Sequence, residues 1–245
     1  MDEITRDYGI RIVGFGNVLF VSPHSAEGFE AGVNYLVAKI CVATGASAII
    51  NTQILRSRVD LNRFDQVNDN FLMVPAVGKY FNDLWRTIVD LKEKFDHPVV
   101  IFMHFCPRVY IRQRCLYQRV ENGALVKKQV GESRDFDIDI GCGLTMINSG
   151  TSGIYAPAKQ IIPSRGRGRP TIDLTRLIQI QNSLSQGNHL KVMVGREWAA
   201  ANRENMVQWS IEHYNIDTVQ LEICSDVAES DNVLSVLCKM VNDLK

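Results

Sequence analysis

A three-layer α/β/α fold around a mainly parallel, mixed sheet is what the 245-residue sequence predicts. Short β-branched or apolar runs alternate along the chain with longer stretches of helical apolar spacing, the pattern of strands crossed over by helices. One run, residues 99–103, is continuously apolar, as expected of a central strand covered on both faces. The length suits one unit with a sizeable core, so residues 1–245 read as a single α/β domain.

The elements follow in order. Residues 10–13 and 18–21 are β-branched runs separated by Gly14, Gly16 and Asn17, and read as a hairpin or strand pair. Val33, Leu36, Val37, Ile40 and Cys41 make one face of a helix over 29–43, with Gly45 at its C-terminal cap. A buried strand is expected at 47–50. Leu84, Ile88, Leu91 and Phe95 stripe a second helix over 79–95, and His97-Pro98 punctuates before the 99–103 strand. Residues 110–130 alternate around Glu121-Asn122-Gly123, a hairpin signal. Residues 136–140 alternate into Gly141-Cys142-Gly143. Segments 149–153 and 163–170 are rich in Gly, Ser or Arg and read as loops. The last third predicts a helix at 174–184, a strand at 190–194, a helix at 203–214, a strand at 218–223 and a helix at 232–244.

Composition narrows the function. Apolar residues are 46% and charged residues 22%, which excludes wholesale disorder. Lys plus Arg equals Asp plus Glu, 27 each, which argues against a general polyanion binder. No apolar run approaches the ~20 residues of a membrane span. The start, MDEITRDYGI, lacks a basic stretch followed by an apolar one, so a cytoplasmic location is the expectation. The six cysteines include no C-x-x-C pair and read as mostly reduced core residues.

In parallel α/β sheets the chemistry sits beyond the carboxyl ends of the strands. After the 18–21 strand comes Ser22-Pro23-His24-Ser25-Ala26-Glu27. His24 and Glu27 form an H-x-x-E, which can turn an imidazole and a carboxylate toward one zinc ion. Taken alone, His24 also suits a turn and Glu27 the first turn of a helix. His104 follows the 99–103 strand, where a third ligand or a core histidine belongs. Residues 55–63 carry Arg56, Arg58 and Arg63 with Asp60 and Asn62 among them; arginine's planar fork suits a substrate carboxylate, and a solvated charged loop is the plainer reading. Glu222 sits inside an apolar run, where an acid is costly without a cation nearby, or else points outward from an edge strand with Gln220. A carboxylate there can take the proton of a metal-activated water.

Together these blocks resemble the N-formylglutamate amidohydrolase family. Ser22-Pro23-His24-Ser25 is similar to its P-H-S-G, residues 57–63 to its S-R-x-x-D-x-N-R with one residue fewer, and residues 219–223 to its V-Q-x-E-I. The order matches too, and His104 falls where the second zinc histidine of the family belongs. The resemblance implies a fold and mechanism related to zinc carboxypeptidases. It implies zinc held by His24, Glu27 and His104, Glu222 as general base, Arg58 as a catalytic electrophile or carboxylate clamp, and Asn62 and Arg63 as substrate-binding residues. The expected substrate is a small N-acylated molecule bearing a carboxylate, such as an N-formyl amino acid. Departures bear on the substrate: Ala26 replaces a glycine, Phe102-Met103-His104-Phe105 lacks an acidic neighbour, Gly141-Cys142 stands for Gly-Asp, and Cys224-Ser225 follows Glu222-Ile223. Two further readings remain open. One is a non-catalytic relative of the same fold that binds or regulates. The other is a DNA-associated protein acting through the R-G-R-P at residues 167–170, which looks like an AT-hook core. The Arg165 to Arg169 stretch also suits a lid over an anionic substrate.

Overall fold

The computed structural model describes residues 1–121, 124–149, 152–157, 168–186 and 189–245. The strands are β1 (Asp2–Arg6), β2 (Gly9–Val13), β3 (Val18–Ser22), β4 (Ser47–Asn51), β5 (Val99–Cys106), β6 (Val109–Glu121), β7 (Ala124–Ser133), β8 (Ile138–Gly141), β9 (Leu144–Ser149), β10 (Ser152–Pro157), β11 (Val192–Val194) and β12 (Asp217–Cys224). The helices are α1 (Val33–Thr44), α2 (Phe64–Asn70), α3 (Pro75–Lys94), α4 (Leu174–Ser185), α5 (Met206–Tyr214), α6 (Ser225–Ala228) and α7 (Asp231–Asp243), with a 3-10 turn at Gly28–Gly32.

Eight strands form the main sheet in the order β1-β2-β4-β3-β5-β12-β8-β11. The central pairs β4–β3, β3–β5 and β5–β12 are parallel, as is β8–β11. Strand parity explains the layers. On β3 and β5, Val18, Phe20, Val99, Ile101 and Met103 point to one face, and Leu19, Val21, Val100 and Phe102 to the other. Helices α1, α4 and α7 cover the first face through Val37, Ile40, Leu177, Ile180, Leu237 and Met240. Helices α3 and α5 cover the second through Leu84, Ile88, Val207 and Trp209. Both faces are therefore dry, and the three-layer, mainly parallel mixed sheet read from the sequence is the architecture observed.

Several elements differ from the sequence expectation: helix α2 has no counterpart in it, and α3 and α5 start at Pro75 and Met206 rather than 79 and 203. Residues 10–13 and 18–21 do not pair: β4 lies between β2 and β3, and β2 instead forms a hairpin with β1. The charges of Asp2, Glu3 and Arg6 hide β1, because an edge strand leaves alternate residues in solvent. The first helix starts at Val33 rather than 29, after the 3-10 turn. Strand β5 runs on to Cys106, so His104 lies inside it and not beyond its end. Finally, β8 enters antiparallel to β12, in the interior of the sheet and not at its edge. The hairpin read around 121–123 is present as β6 and β7, paired up to Glu121 and Ala124; residues 122–123 lie outside the described residues. Of the 149–153 segment read as a loop, Ser149 ends β9 and Ser152 and Gly153 open β10, which pair antiparallel; residues 150–151 lie outside the described residues.

Cys41, Cys106, Cys142, Cys224 and Cys238 are free thiols, four of them buried, in keeping with the reading of reduced core residues. Among the described residues, no helix is long and apolar enough to cross a membrane.

Candidate active site

Strand register places the first two groups. His104 on β5 and Glu222 on β12 are direct partners across a parallel pair, so their side chains leave the same face side by side. Glu222 is in turn the partner of Asp139 on β8. It therefore lies on an interior strand, and the outward-pointing edge position does not hold; Gln220, of the same parity, is buried as well.

His24 comes from the turn after β3. Asn51, the last residue of β4, fixes that turn: its Nδ2 donates to the carbonyls of Pro23 and Ile54, both at 2.7 Å, and its Oδ1 accepts from the Ile54 amide at 2.8 Å. The two imidazoles meet with ring centroids 4.8 Å apart. The carboxylate between them belongs to Glu30, not Glu27. Glu30 Oε2 accepts from His104 Nδ1 at 3.0 Å, and Glu30 Oε1 lies 3.3 Å from His24 Nδ1. Glu27 is exposed and in extended backbone, just before the 3-10 turn begins. An H-x-x-E serves one ion only when the helical turn starts near the histidine. Here it starts at Gly28, in left-handed backbone, and delivers Glu30, three residues after Glu27.

The loop after β4 closes the site. Asp60 Oδ1 accepts from His24 Nε2 at 2.7 Å and from the Asn62 amide at 3.0 Å, while Arg56 Nε reaches Asp60 Oδ2 at 3.3 Å. Burial pushes the Asp60 carboxyl up, but the hydrogen bond and charge of His24 outweigh it and bring the value down to about 2. Burial likewise disfavours ionised Glu30, and the hydrogen bond of His104 together with the nearby His24 ring reverses that, leaving Glu30 below the ordinary carboxylate range. For His24, burial lowers the pKa, yet the bond to Asp60 and the nearby Glu30 carboxylate carry the net direction upward. Burial dominates at His104 and lowers it.

Because ionised Asp60 accepts from Nε2, the His24 Nδ1 lone pair faces the Glu30 carboxylate. That nitrogen makes no hydrogen bond, and neither does buried His104 Nε2. A proton or a cation must sit between His24 Nδ1 and Glu30, and two imidazoles with one carboxylate are a zinc-type donor set. One ligand atom from each of His24, Glu30 and His104 lies within 4.8 Å of the others, so the buried group could hold a metal ion. With a metal there, Asp60 would be the outer carboxylate that orients His24.

These residues line a cavity of about 380 Å³, within the range of small-molecule sites. Of the residues expected from the sequence, His24, His104, Glu222, Asn62 and Arg63 are brought together there. Arg58 is not: it is exposed, and Arg56 from the same loop faces the cavity instead. Arg63 is held by Asp65 through Nε at 3.0 Å and Nη2 at 2.9 Å, and by Glu204.

An amide relay orients Glu222. The Gln220 Oε1 accepts from Asn62 Nδ2 at 3.2 Å and Asn205 Nδ2 at 3.3 Å, so its Nε2 is left to donate to Glu222 Oε1 at 2.7 Å. Burial raises the Glu222 pKa well above the ordinary value, and the Glu30 charge adds to this; the Gln220 bond opposes it. The wall beyond is formed by Arg134, Trp198 and Asn202, none of which any sequence motif indicated. Of the R-G-R-P stretch, Arg167 lies outside the described residues, as do residues 165–166; Gly168 packs on Ala201, and Arg169 reaches the Ile211 carbonyl at 2.9 Å.

Comparison with known proteins agrees with this picture at the level of fold. No family model matches the chain, and no curated protein matches it in sequence. Among solved structures, the chain resembles an N-formylglutamate amidohydrolase from Ralstonia eutropha JMP134, with 11% identity, a TM-score of 0.56, and coverage of 96% of this chain and 94% of that one. A gene product of Agrobacterium tumefaciens matches at 13% identity and a TM-score of 0.51, over 94% and 91% of the two chains. The resemblance read from short motifs is thus met by a fold shared over nearly the whole chain.

Proposed function

We propose that this chain is a zinc-dependent amidohydrolase acting on an N-acylated, carboxylate-bearing substrate such as an N-formyl amino acid. One observation carries the reading: His24, Glu30 and His104 converge beside Glu222 on one face of the sheet, inside a cavity that also presents arginines. The fold it shares with the Ralstonia eutropha N-formylglutamate amidohydrolase supports the substrate class.

His24, Glu30 and His104 would hold the zinc, which when bound supplies a Lewis acid for water and for the amide carbonyl. The remaining work falls to the chain. Glu222 takes a proton from the attacking water and returns it to the leaving nitrogen. Gln220, fixed by Asn62 and Asn205, keeps that carboxylate in place. Asn62 lines the cavity and is the residue to meet the substrate N–H; its buried Oδ1 has no partner in the fold. Arg63, its fork pre-set by Asp65 and Glu204, is the group to polarise the acyl oxygen.

The test is the metal content of protein purified without added metal, followed by a hydrolysis screen over N-acylated amino acids. About one zinc per chain and turnover of at least one N-acyl amino acid, abolished by a chelator and restored by zinc, is the expected result. Protein that takes up no zinc overturns the reading. Zinc-loaded protein that hydrolyses none of the panel turns it toward the non-catalytic binding relative.

A further inference from the structure

Arg134 is a buried guanidinium in the wall of the cavity. It follows β7, and its backbone N–H donates to the Arg108 carbonyl at 2.9 Å, closing the base of the β6–β7 hairpin. Its side chain is 6% exposed. The ring centroids of Tyr110 and Trp198 lie 4.3 and 4.6 Å from its Cζ. Its Nε donates to Glu197 Oε2 at 3.0 Å and its Nη1 to the Pro107 carbonyl.

This clamp is itself anchored. Asp139 on β8, the register partner of Glu222, accepts from the backbone N–H groups of Arg196, Glu197 and Trp198 at 2.9, 2.7 and 3.0 Å. The loop carrying both Glu197 and Trp198 is therefore tied to the strand beside the proposed base. Phe136 supports Trp198 edge-on at 6.1 Å.

Burying a guanidinium is costly unless its donors are used, and five are available. Among the described residues no partner is found for Arg134 Nη2, and that atom is not among the buried, unpartnered ones. It therefore keeps some accessible surface, and Arg134 lines the cavity. The other cavity arginines are differently engaged. Arg63 is chelated by Asp65 and joined by Glu204, and Arg56 is half-exposed and paired with Glu30 and Asp60.

We propose that Arg134 is the specificity-determining residue, reading a free carboxylate of the substrate through its Nη2 edge while Tyr110 and Trp198 hold the guanidinium plane. This rests on the amidohydrolase reading and narrows the substrate to an N-acyl amino acid whose carboxylate reaches Arg134. An amino acid with an acidic side chain offers two such groups, the α-carboxylate and the side-chain one.

The experiment compares zinc-loaded wild type with Arg134→Gln and Arg134→Lys. Calorimetric titration with glutarate, which has two carboxylates and no amide, reads binding without chemistry. The wild type is expected to bind, Arg134→Gln to bind at least ~10-fold more weakly, and Arg134→Lys to fall between, because an ammonium keeps the charge and loses the fork. Turnover of N-formylglutamate is then set against N-formylglutamine and N-formylisoglutamine, which lack the side-chain and the α-carboxylate in turn. The analogue that wild type uses at least ~10-fold less well names the carboxylate Arg134 reads, and Arg134→Gln should flatten that preference, chiefly through KM. A purely structural role would lower all three substrates alike.

Equal use of all three by wild type, or a preference kept intact by Arg134→Gln, overturns the proposal. So does glutarate affinity that is absent in wild type or unchanged in Arg134→Gln. Should Arg134→Gln fail to fold, wild-type affinity in Arg134→Lys overturns it instead. If wild type hydrolyses none of the substrates, the amidohydrolase reading falls, and the glutarate titration still decides Arg134.

Discussion

Glu222→Gln should leave the protein folded and zinc-loaded and reduce hydrolysis by at least ~100-fold, the lower range for loss of a general base. The substitution keeps the shape of the side chain. The new amide can turn its oxygen toward Gln220 Nε2, so the relay from Asn62 and Asn205 persists. What it loses is the ability to accept a proton. Burial and the Glu30 charge both favour the protonated form of Glu222, so its basicity depends on a cation at the neighbouring cluster offsetting Glu30. Kinetics on a verified substrate, together with zinc content and thermal melting, check the expectation. Near-full turnover would remove Glu222 from the mechanism.

The second large effect separates two acids in one turn. Glu30→Gln should lower zinc affinity by at least ~10-fold, since an anionic ligand is lost from between two histidines. Glu27→Gln should leave zinc content and turnover unchanged, because Glu27 is exposed and outside the cluster. Competition with a chromophoric chelator measures both. A Glu27→Gln protein that loses zinc while Glu30→Gln keeps it would restore the H-x-x-E arrangement and reverse the geometry described above.

These two acids also show what a sequence can carry. Strand parity is a strict period of two, so once 99–103 and 218–223 are recognised as neighbouring strands, His104 and Glu222 follow. The distance from His24 to its carboxylate has no such period. It depends on where a short 3-10 turn begins, and that is decided by the left-handed backbone at Gly28 and by packing below it. The choice of Arg56 over Arg58 is of the same kind, set by how a loop closes on Asp60. Arg134 was beyond reach for another reason: its neighbours Tyr110 and Trp198 come from segments far apart in the chain, and only the finished sheet brings them together. The fold class holds despite the unread β1 and the different pairing of β2 and β3, because the alternation of apolar runs with helices does not depend on the partner of any one strand.

Strand β12 lies between β5 and β8 and is hydrogen-bonded to both. It leaves the ribosome long after either neighbour. Until it inserts, β5 has β3 on one side and a bare edge on the other, and every residue of that strand is one the finished protein buries. Such an edge is a template for pairing with other chains, and pairing of strands so distant in sequence is slow. The late strand also carries Glu222 to His104. Closing the sheet and completing the reaction centre are therefore one event. A nascent chain thus passes through an aggregation-exposed stage before Glu222 and His104 meet, and the step that ends the first condition brings about the second.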